Sequence, residues 1–87
     1  MDLQTYKSSK DDKIIHFVAN WCIACVQNKN MLSQYQDDIL LIDFDNSPEI
    51  VEYEKITKVP TILYKDYRIE GVSPSKLRRL LKSFHSQ

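Results

Sequence analysis

The sequence predicts an α/β domain built on a four-stranded mixed sheet with helices on both faces. Two apolar runs rich in β-branched residues, 13–19 and 39–44, are each followed by a helical pattern. Two short strand patterns come later, and an amphipathic segment ends the chain. A chain of 87 residues makes one domain, so we assign residues 1–87 to a single unit.

The first half of the chain predicts two strands and two helices. Residues 2–9 carry a weak helical pattern. Residues 13–19 are mostly apolar and predict a strand covered on both faces. Residues 22–35 contain neither glycine nor proline and predict a helix, and 39–44 predict a second buried strand.

The second half begins with helix-start signals. Ser47 is suited to the N-cap and Pro48 to the first turn of a helix that runs to about residue 55. Residues 61–64 and 67–70 then predict a hairpin. Its two-residue turn contains no glycine, although tight turns usually favour one.

The last helix has the clearest pattern. Ser73 is suited to the N-cap and Pro74 to the first turn, and apolar residues recur at helical spacing at Leu77, Leu80, Leu81 and Phe84. A right-handed helical crossover makes the first two strands parallel, and the hairpin adds an antiparallel pair. These connections predict a mixed sheet.

Composition narrows the classes of function. Twelve basic and twelve acidic residues balance, which disfavours a nucleic-acid partner. No run of about 18 apolar residues predicts a membrane span, and the polar start lacks the apolar core of a secretory signal. We therefore expect a cytoplasmic protein without a membrane partner, provided that the sequence is the full gene product, and size alone favours a monomer.

The only two cysteines lie in Trp21-Cys22-Ile23-Ala24-Cys25, directly after the first predicted strand. A thiol at the start of a helix meets converging N–H groups, which favour its thiolate form. Two cysteines in a reducing compartment rarely form a permanent bridge, so a redox-cycling pair or a metal site is expected. Zinc prefers four ligands, and the only other soft donors are His16 and His85. Buried structural thiols, or a cluster shared between two subunits, are further alternatives.

These residues together resemble the thioredoxin family over about 14–81. The resemblance includes the Trp-Cys-x-x-Cys segment and, beyond it, Phe17, Ala19, the Asp43-x-Asp45-x-x-Pro48 run, Pro60-Thr61 and Gly71. The usual first strand of thioredoxins has no counterpart, so the chain is near glutaredoxin size. The resemblance implies a thioredoxin-like fold and a disulfide reductase that uses no cofactor.

The resemblance also assigns roles to residues. Cys22 would be the nucleophile and Cys25 the resolving thiol, acting on protein disulfides. Val59 and a cis Pro60 would hold the substrate backbone, and Trp21, Val59 and Gly71 would line a shallow apolar groove. A thioredoxin-reductase-like enzyme or glutathione would restore the dithiol.

The sequence departs from the family pattern in the first strand and in the cysteine segment. His16 stands where thioredoxins usually carry a buried Asp, and Leu41 replaces a nearby lysine. We hypothesise that neutral His16 serves as a base for Cys25, and that protonated His16 would stabilise thiolate. Ile23-Ala24 replaces Gly-Pro, and we expect this loss of proline to leave the Cys25 N–H free to hydrogen-bond the Cys22 thiolate.

Two other functions stay open. Glutaredoxins typically carry a Gly-Gly-x-Asp glutathione-binding segment, whereas this chain has Glu70-Gly71-Val72-Ser73, so a glutathione-coupled glutaredoxin-like enzyme is the alternative within the same class. A thioredoxin-fold binding module with incidental cysteines is the alternative of another class. Turnover that depends on Cys22 distinguishes the enzyme from the module.

Overall fold

A computed structural model describes residues 1–86. Four α-helices and four strands follow one another in the predicted order: α1 Leu3–Ser9, β1 Ile14–Val18, α2 Ile23–Met31, β2 Ile39–Asp43, α3 Pro48–Glu54, β3 Thr61–Tyr64, β4 Tyr67–Glu70 and α4 Pro74–His85. The predicted hairpin strands and the start of the last helix match these bounds.

The strands form one mixed sheet in the order β2-β1-β3-β4. β1 pairs with β2 in parallel and with β3 antiparallel, and β3 pairs antiparallel with β4. Helices pack on both faces, which confirms the predicted architecture. One face buries Ile14, Leu32, Ile62, Tyr64, Ile69, Leu77 and Leu80. The other buries Tyr6, Ile15, Phe17, Ile42, Ile50 and Ile56.

Helix α2 is shorter than the predicted 22–35. It ends at Met31, and a 3-10 segment, Ser33–Asp38, follows with non-helical dihedral angles at Tyr35. Continuing the α-helix would place Asp37 and Asp38 at its C-terminus, where the helix dipole disfavours negative charge. The absence of Gly and Pro therefore did not suffice to extend the helix.

Strand β2 is not the buried strand that its apolar sequence predicted. It is one of the two outer strands of the sheet, and among its five residues only Ile42 is fully buried. Leu41 is 52% exposed. Position in the sheet, rather than hydrophobicity of the run, determines this exposure.

The two helix starts and the hairpin turn lie where they were predicted, with local details that the sequence did not specify. Ser47 and Ser73 occupy the N-cap positions, but neither side chain makes a capping hydrogen bond. Their carbonyl oxygens accept the first helical bonds, from Val51 and Leu77, as in any N-cap residue. The hairpin turn forms without glycine because Lys65 adopts a left-handed conformation, with φ of 49°.

A buried tyrosine connects α1 to α3 through a hydrogen bond of its hydroxyl. We expect loss of this hydroxyl to lower the stability of the fold. Tyr6 is fully buried and donates to the carboxylate of Glu54, which also pairs with Lys10. Burial is the main reason that the pKa of Tyr6 is raised far above its usual value, which keeps the hydroxyl protonated as a donor. Tyr6→Phe removes one of the two partners of Glu54, so we expect the free energy of unfolding to fall by about 1–2 kcal/mol in urea denaturation.

The matched control is Tyr53→Phe. The Tyr53 ring contacts Tyr6 edge-on, but its side chain is 46% exposed and no hydrogen bond of its hydroxyl is found within residues 1–86. We expect this variant to change stability by less than about 0.5 kcal/mol. Equal losses in the two variants would contradict the importance of the Tyr6 hydroxyl.

Candidate active site

The cysteine pair lies where the chain passes from β1 into α2. Cys22 is the N-cap residue of α2 with extended backbone angles, and Cys25 lies in the first turn. The two cysteines form a disulfide. They pack with Val18 and Ala19, and with half-buried Ala24, Phe44 and Val59 from three parts of the chain.

The backbone of α2 is directed at the Cys22 sulfur. The Cys25 N–H donates to Cys22 Sγ over 3.1 Å, which is the contact that the sequence led us to expect. Such donors and the positive end of a nine-residue helix stabilise a thiolate at this atom once the pair is reduced. The reason given from sequence was wrong, however, because a proline at position 24 would remove the Ala24 N–H and not that of Cys25.

The two cysteine residues differ in exposure. Cys22 retains 7% of its surface and Cys25 only 1%. An attacking group from another protein therefore meets Cys22 first. This difference agrees with the predicted order of nucleophile and resolving thiol, although the assignment itself stays a prediction.

A second segment reaches the cysteines from the start of the hairpin. The Val59-Pro60 peptide bond is cis, and Val59 packs against the cysteine cluster. The Gly71 N–H donates to the Pro60 carbonyl over 2.8 Å, which brings the two predicted binding segments together. Gly71 has φ of 81°, a conformation that favours glycine.

Trp21 is held in an exposed position beside the pair. Its side chain is 65% exposed, and its indole N–H donates to Asp45 Oδ2 over 2.7 Å. Asp45 follows β2, at the same end of the sheet as the cysteines, because the parallel β1 and β2 both end there. The bond restrains the orientation of the indole ring.

The exposed apolar surface is larger than the sequence predicted. Ile23 is 84% exposed and Val26 is 52% exposed, and both lie in the first turn of α2 next to Cys22. Their spacing of three residues puts them on one side of the helix. With Trp21 they form an apolar surface around the sulfur pair, a feature that is typical of sites that contact other proteins. The helical spacing of these two exposed residues was the signal that could have identified them.

His16 lies on β1 between Leu41 and Ile62, on the face covered by α2. It is buried, and neither ring nitrogen has a hydrogen-bond partner within residues 1–86. Burial, with a smaller effect of the Lys29 charge, lowers the pKa of His16 to about 4. The ring is therefore neutral near pH 7, as the base hypothesis requires.

The buried, unbonded ring of His16 does not support a catalytic role for this residue. Its nitrogens do not bond to Cys25 in the disulfide state. A base with a pKa of about 4 is also a weak acceptor for a thiol proton at neutral pH. Its role as a base for Cys25 stays a prediction.

The described residues offer neither a metal site nor a membrane-spanning helix. Among residues 1–86, no group of three or more His, Cys, Asp or Glu side chains could hold a metal ion. Within the same residues, none of the helices has the length and apolar character needed to cross a bilayer.

Comparison with known proteins identifies the family. A family model described as thioredoxin matches residues 3–83. The chain belongs to the thioredoxin family. No curated protein matches it closely enough to add to this assignment.

Solved structures agree with the family assignment. Thioredoxin from Malassezia sympodialis is 21% identical with a TM-score of 0.80, and the match covers 95% of this chain and 85% of that one. Oxidised mitochondrial thioredoxin 3 from Saccharomyces cerevisiae is 27% identical with a TM-score of 0.75, over 94% and 90% of the two chains. The glutaredoxin-like NrdH-redoxin from Escherichia coli is 24% identical with a TM-score of 0.68, over 78% and 93%.

The fold, the family and the cysteine disulfide together support a thioredoxin-like redox function. The site can carry out thiol–disulfide exchange, since it holds a thiol pair at a helix start beside an apolar surface.

Proposed function

We propose that this protein is a thiol–disulfide oxidoreductase that reduces disulfides in other proteins through Cys22 and Cys25. The observation that carries the proposal is the disulfide at the N-cap of α2, where the Cys25 N–H points at Cys22 Sγ. The exposed apolar surface of Trp21, Ile23 and Val26 supports a protein substrate. We propose the cytoplasm as its location, since a reducing compartment keeps such a pair in use.

The reaction transfers two electrons in two exchanges. The Cys22 thiolate attacks one sulfur of the substrate disulfide, which forms a mixed disulfide and releases the first substrate sulfur as a thiolate. The Cys25 thiolate then attacks Cys22 Sγ, which closes the Cys22–Cys25 disulfide and releases the second. The two protons lost by the cysteines balance those taken up by the substrate thiols.

The substrate chain would lie across the segment that contains Val59 and Pro60. Val59 packs against the cysteine cluster, so an extended chain placed along it comes next to Cys22. Trp21 and Gly71 would contact the same chain from the two sides. Lys58, which is exposed, adds one positive charge at this border.

A second protein or a small thiol must return the pair to the dithiol form. We propose a thioredoxin-reductase-like enzyme as the reductant. Glutathione is the alternative, and the likeness to NrdH-redoxin does not favour it, because that glutaredoxin-like protein is described as having a thioredoxin-like activity profile. Reduction of the oxidised protein by glutathione alone would identify the glutaredoxin-like function.

The first test is the equilibrium reduction potential of the Cys22–Cys25 pair. Trp21 is the only tryptophan and lies beside the disulfide, so its fluorescence reports the redox state in thiol–disulfide buffers. We expect a potential near that of thioredoxin, about −270 mV. A potential near about −180 mV would contradict the reductase and favour an oxidant or a glutathione-coupled enzyme. Failure to form a reversible disulfide would leave only the binding module.

A further inference from the structure

Two buried polar side chains without partners lie between β1 and α2. Within residues 1–86, the buried side-chain nitrogens and oxygens that make no hydrogen bond are the two ring nitrogens of His16 and Nδ2 of Asn28. Each of these side chains is 1% exposed. Buried polar atoms in folded proteins are nearly always bonded, so an unbonded one needs a physical explanation. The partner of the Asn28 amide must be sought inside the protein.

Asn28 lies on the same face of α2 as Cys25. The two residues are three positions apart, which places their Cβ atoms about 5–6 Å from each other on a helix. Both are buried, whereas the neighbouring Val26, Gln27 and Lys29 are exposed. Side chains of a helix lean toward its N-terminus, so the Asn28 amide is directed back over the turn that contains Cys25.

Strand β1 lies against this face of α2. The first turn of α2 packs in one cluster with Val18, at the end of β1, and the C-cap of α2 packs in another with Ile14, at its start. The helix therefore runs back along the strand. Asn28 is in the middle of α2 and His16 in the middle of β1, so the two unbonded side chains face each other in one layer beneath Cys25.

The Asn28 donor gains an acceptor when the disulfide opens. In the disulfide state Cys25 Sγ carries no charge, and Asn28 Nδ2 makes no bond to it. The second exchange needs Cys25 as a thiolate, although this residue is only 1% exposed. Burying a charge is costly unless hydrogen bonds compensate it. The Cys25 N–H does not do so, because it is directed at Cys22 Sγ.

We propose that Asn28 is a further catalytic residue, whose Nδ2 donates to Cys25 Sγ in the dithiol and mixed-disulfide states. The inference rests on the proposed function, since it concerns the second exchange. There the Cys25 thiolate attacks Cys22 Sγ, the bond from Cys22 to the substrate sulfur breaks, and that sulfur leaves as a thiolate and takes up the proton that Cys25 lost. A donor that bonds this sulfur while it is charged favours formation of the nucleophile.

The other titratable and charged groups around Cys25 are few. Burial lowers the pKa of His16 to about 4, so the ring stays neutral while a thiol ionises. Lys29, one turn after Cys25, is exposed, and solvent and salt screen its charge. Apart from Cys22, the side chains that pack with Cys25 are uncharged: Val18, Ala19, Ala24, Phe44 and Val59.

The test measures the Cys25 thiolate in the Cys22→Ser protein, where Cys25 is the only thiol. Ultraviolet absorbance against pH gives the thiolate fraction, first in this protein and then with Asn28→Leu added. We expect Asn28→Leu to leave about 10-fold less thiolate at each pH below the midpoint, because leucine cannot donate and hydrogen bonds to charged groups are the strong ones. Asn30→Leu, the same substitution at an exposed position of α2, is the control and should change nothing.

This measurement uses no substrate, so its result and that of the reductase assay are independent. In the two-cysteine protein, Asn28→Leu should leave the first attack by Cys22 unchanged and slow release of the second substrate sulfur by only about 3-fold. The effect is smaller than the loss of thiolate because each remaining thiolate, being more basic, is about 3-fold more nucleophilic.

An unchanged thiolate fraction in Asn28→Leu would overturn the proposal, and a loss in His16→Leu instead would assign the donor to the imidazole. An equal loss in Asn30→Leu would also overturn it. If Asn28→Leu fails to fold, NMR of the ¹⁵N-labelled Cys22→Ser protein decides. The Asn28 side-chain amide signals should shift with the same midpoint as the thiolate absorbance, and signals that ignore this titration would overturn the proposal.

Discussion

Cys22→Ser should reduce turnover of protein disulfides by about 10³-fold or more, because the variant lacks the sulfur that attacks the substrate. Cys22 is the more exposed of the two cysteines, and its sulfur accepts the Cys25 N–H at the start of α2. A serine hydroxyl at the same place is a far weaker nucleophile near neutral pH than a thiolate. Turnover can be followed on insulin disulfides with dithiothreitol as the reductant.

Cys25→Ser is the matched variant, since it removes the other sulfur from the same helix. It keeps the attack by Cys22 but cannot release the second substrate sulfur, so the mixed disulfide should accumulate to about one equivalent and be visible by mass spectrometry. Accumulation of the adduct on Cys25 in Cys22→Ser, with none in Cys25→Ser, would reverse the two assigned roles. Wild-type turnover in both variants would instead contradict catalysis by the pair.

The fold was predictable where the pattern is local. The amphipathic spacing in α4 and the two short strand patterns of the hairpin are set by residues that lie near one another in sequence, and both predictions held. The end of α2 and the exposure of β2 were predicted wrongly for different reasons, since α2 stops before the acidic residues Asp37 and Asp38, whereas the exposure of β2 depends on the order of the strands. The apolar run 39–44 contains no information about which strand pairs on its far side, and only the sheet order leaves Leu41 at the edge.

The residues of the site were predictable from sequence only through the resemblance to a known family. Cys22 and Val59 are distant in the sequence, and the family pattern, rather than any spacing, indicated that they meet. The bond from Trp21 to Asp45 spans 24 residues and was not predicted, since neither residue carries a local signal for the other. The proximity of Lys29 to His16 was missed for the same reason, because it depends on how α2 crosses β1.

The unpartnered imidazole of His16 should make the protein sensitive to acid. Its folded-state pKa of about 4 lies below the ordinary histidine value of 6.5. Between these two values the unfolded chain binds a proton that the folded chain does not, so the free energy of unfolding falls as pH decreases through this window. By about pH 4 the histidine of the unfolded chain is fully protonated. The free energy of unfolding is then about 3 kcal/mol lower than at pH 7.

His16→Leu removes the titrating group and replaces it with an apolar side chain that needs no hydrogen bond. We expect urea denaturation to show a gain of about 1 kcal/mol at pH 7, because two unsatisfied buried nitrogens disappear. The fall in the free energy of unfolding between pH 7 and pH 4 should be about 3 kcal/mol smaller in this variant than in the wild type. His85→Gln, at an exposed position, should retain the wild-type loss and serves as the control. If His16→Leu fails to fold, the NMR titration of the wild-type His16 ring decides the matter, since a midpoint near pH 6.5 would contradict the burial argument.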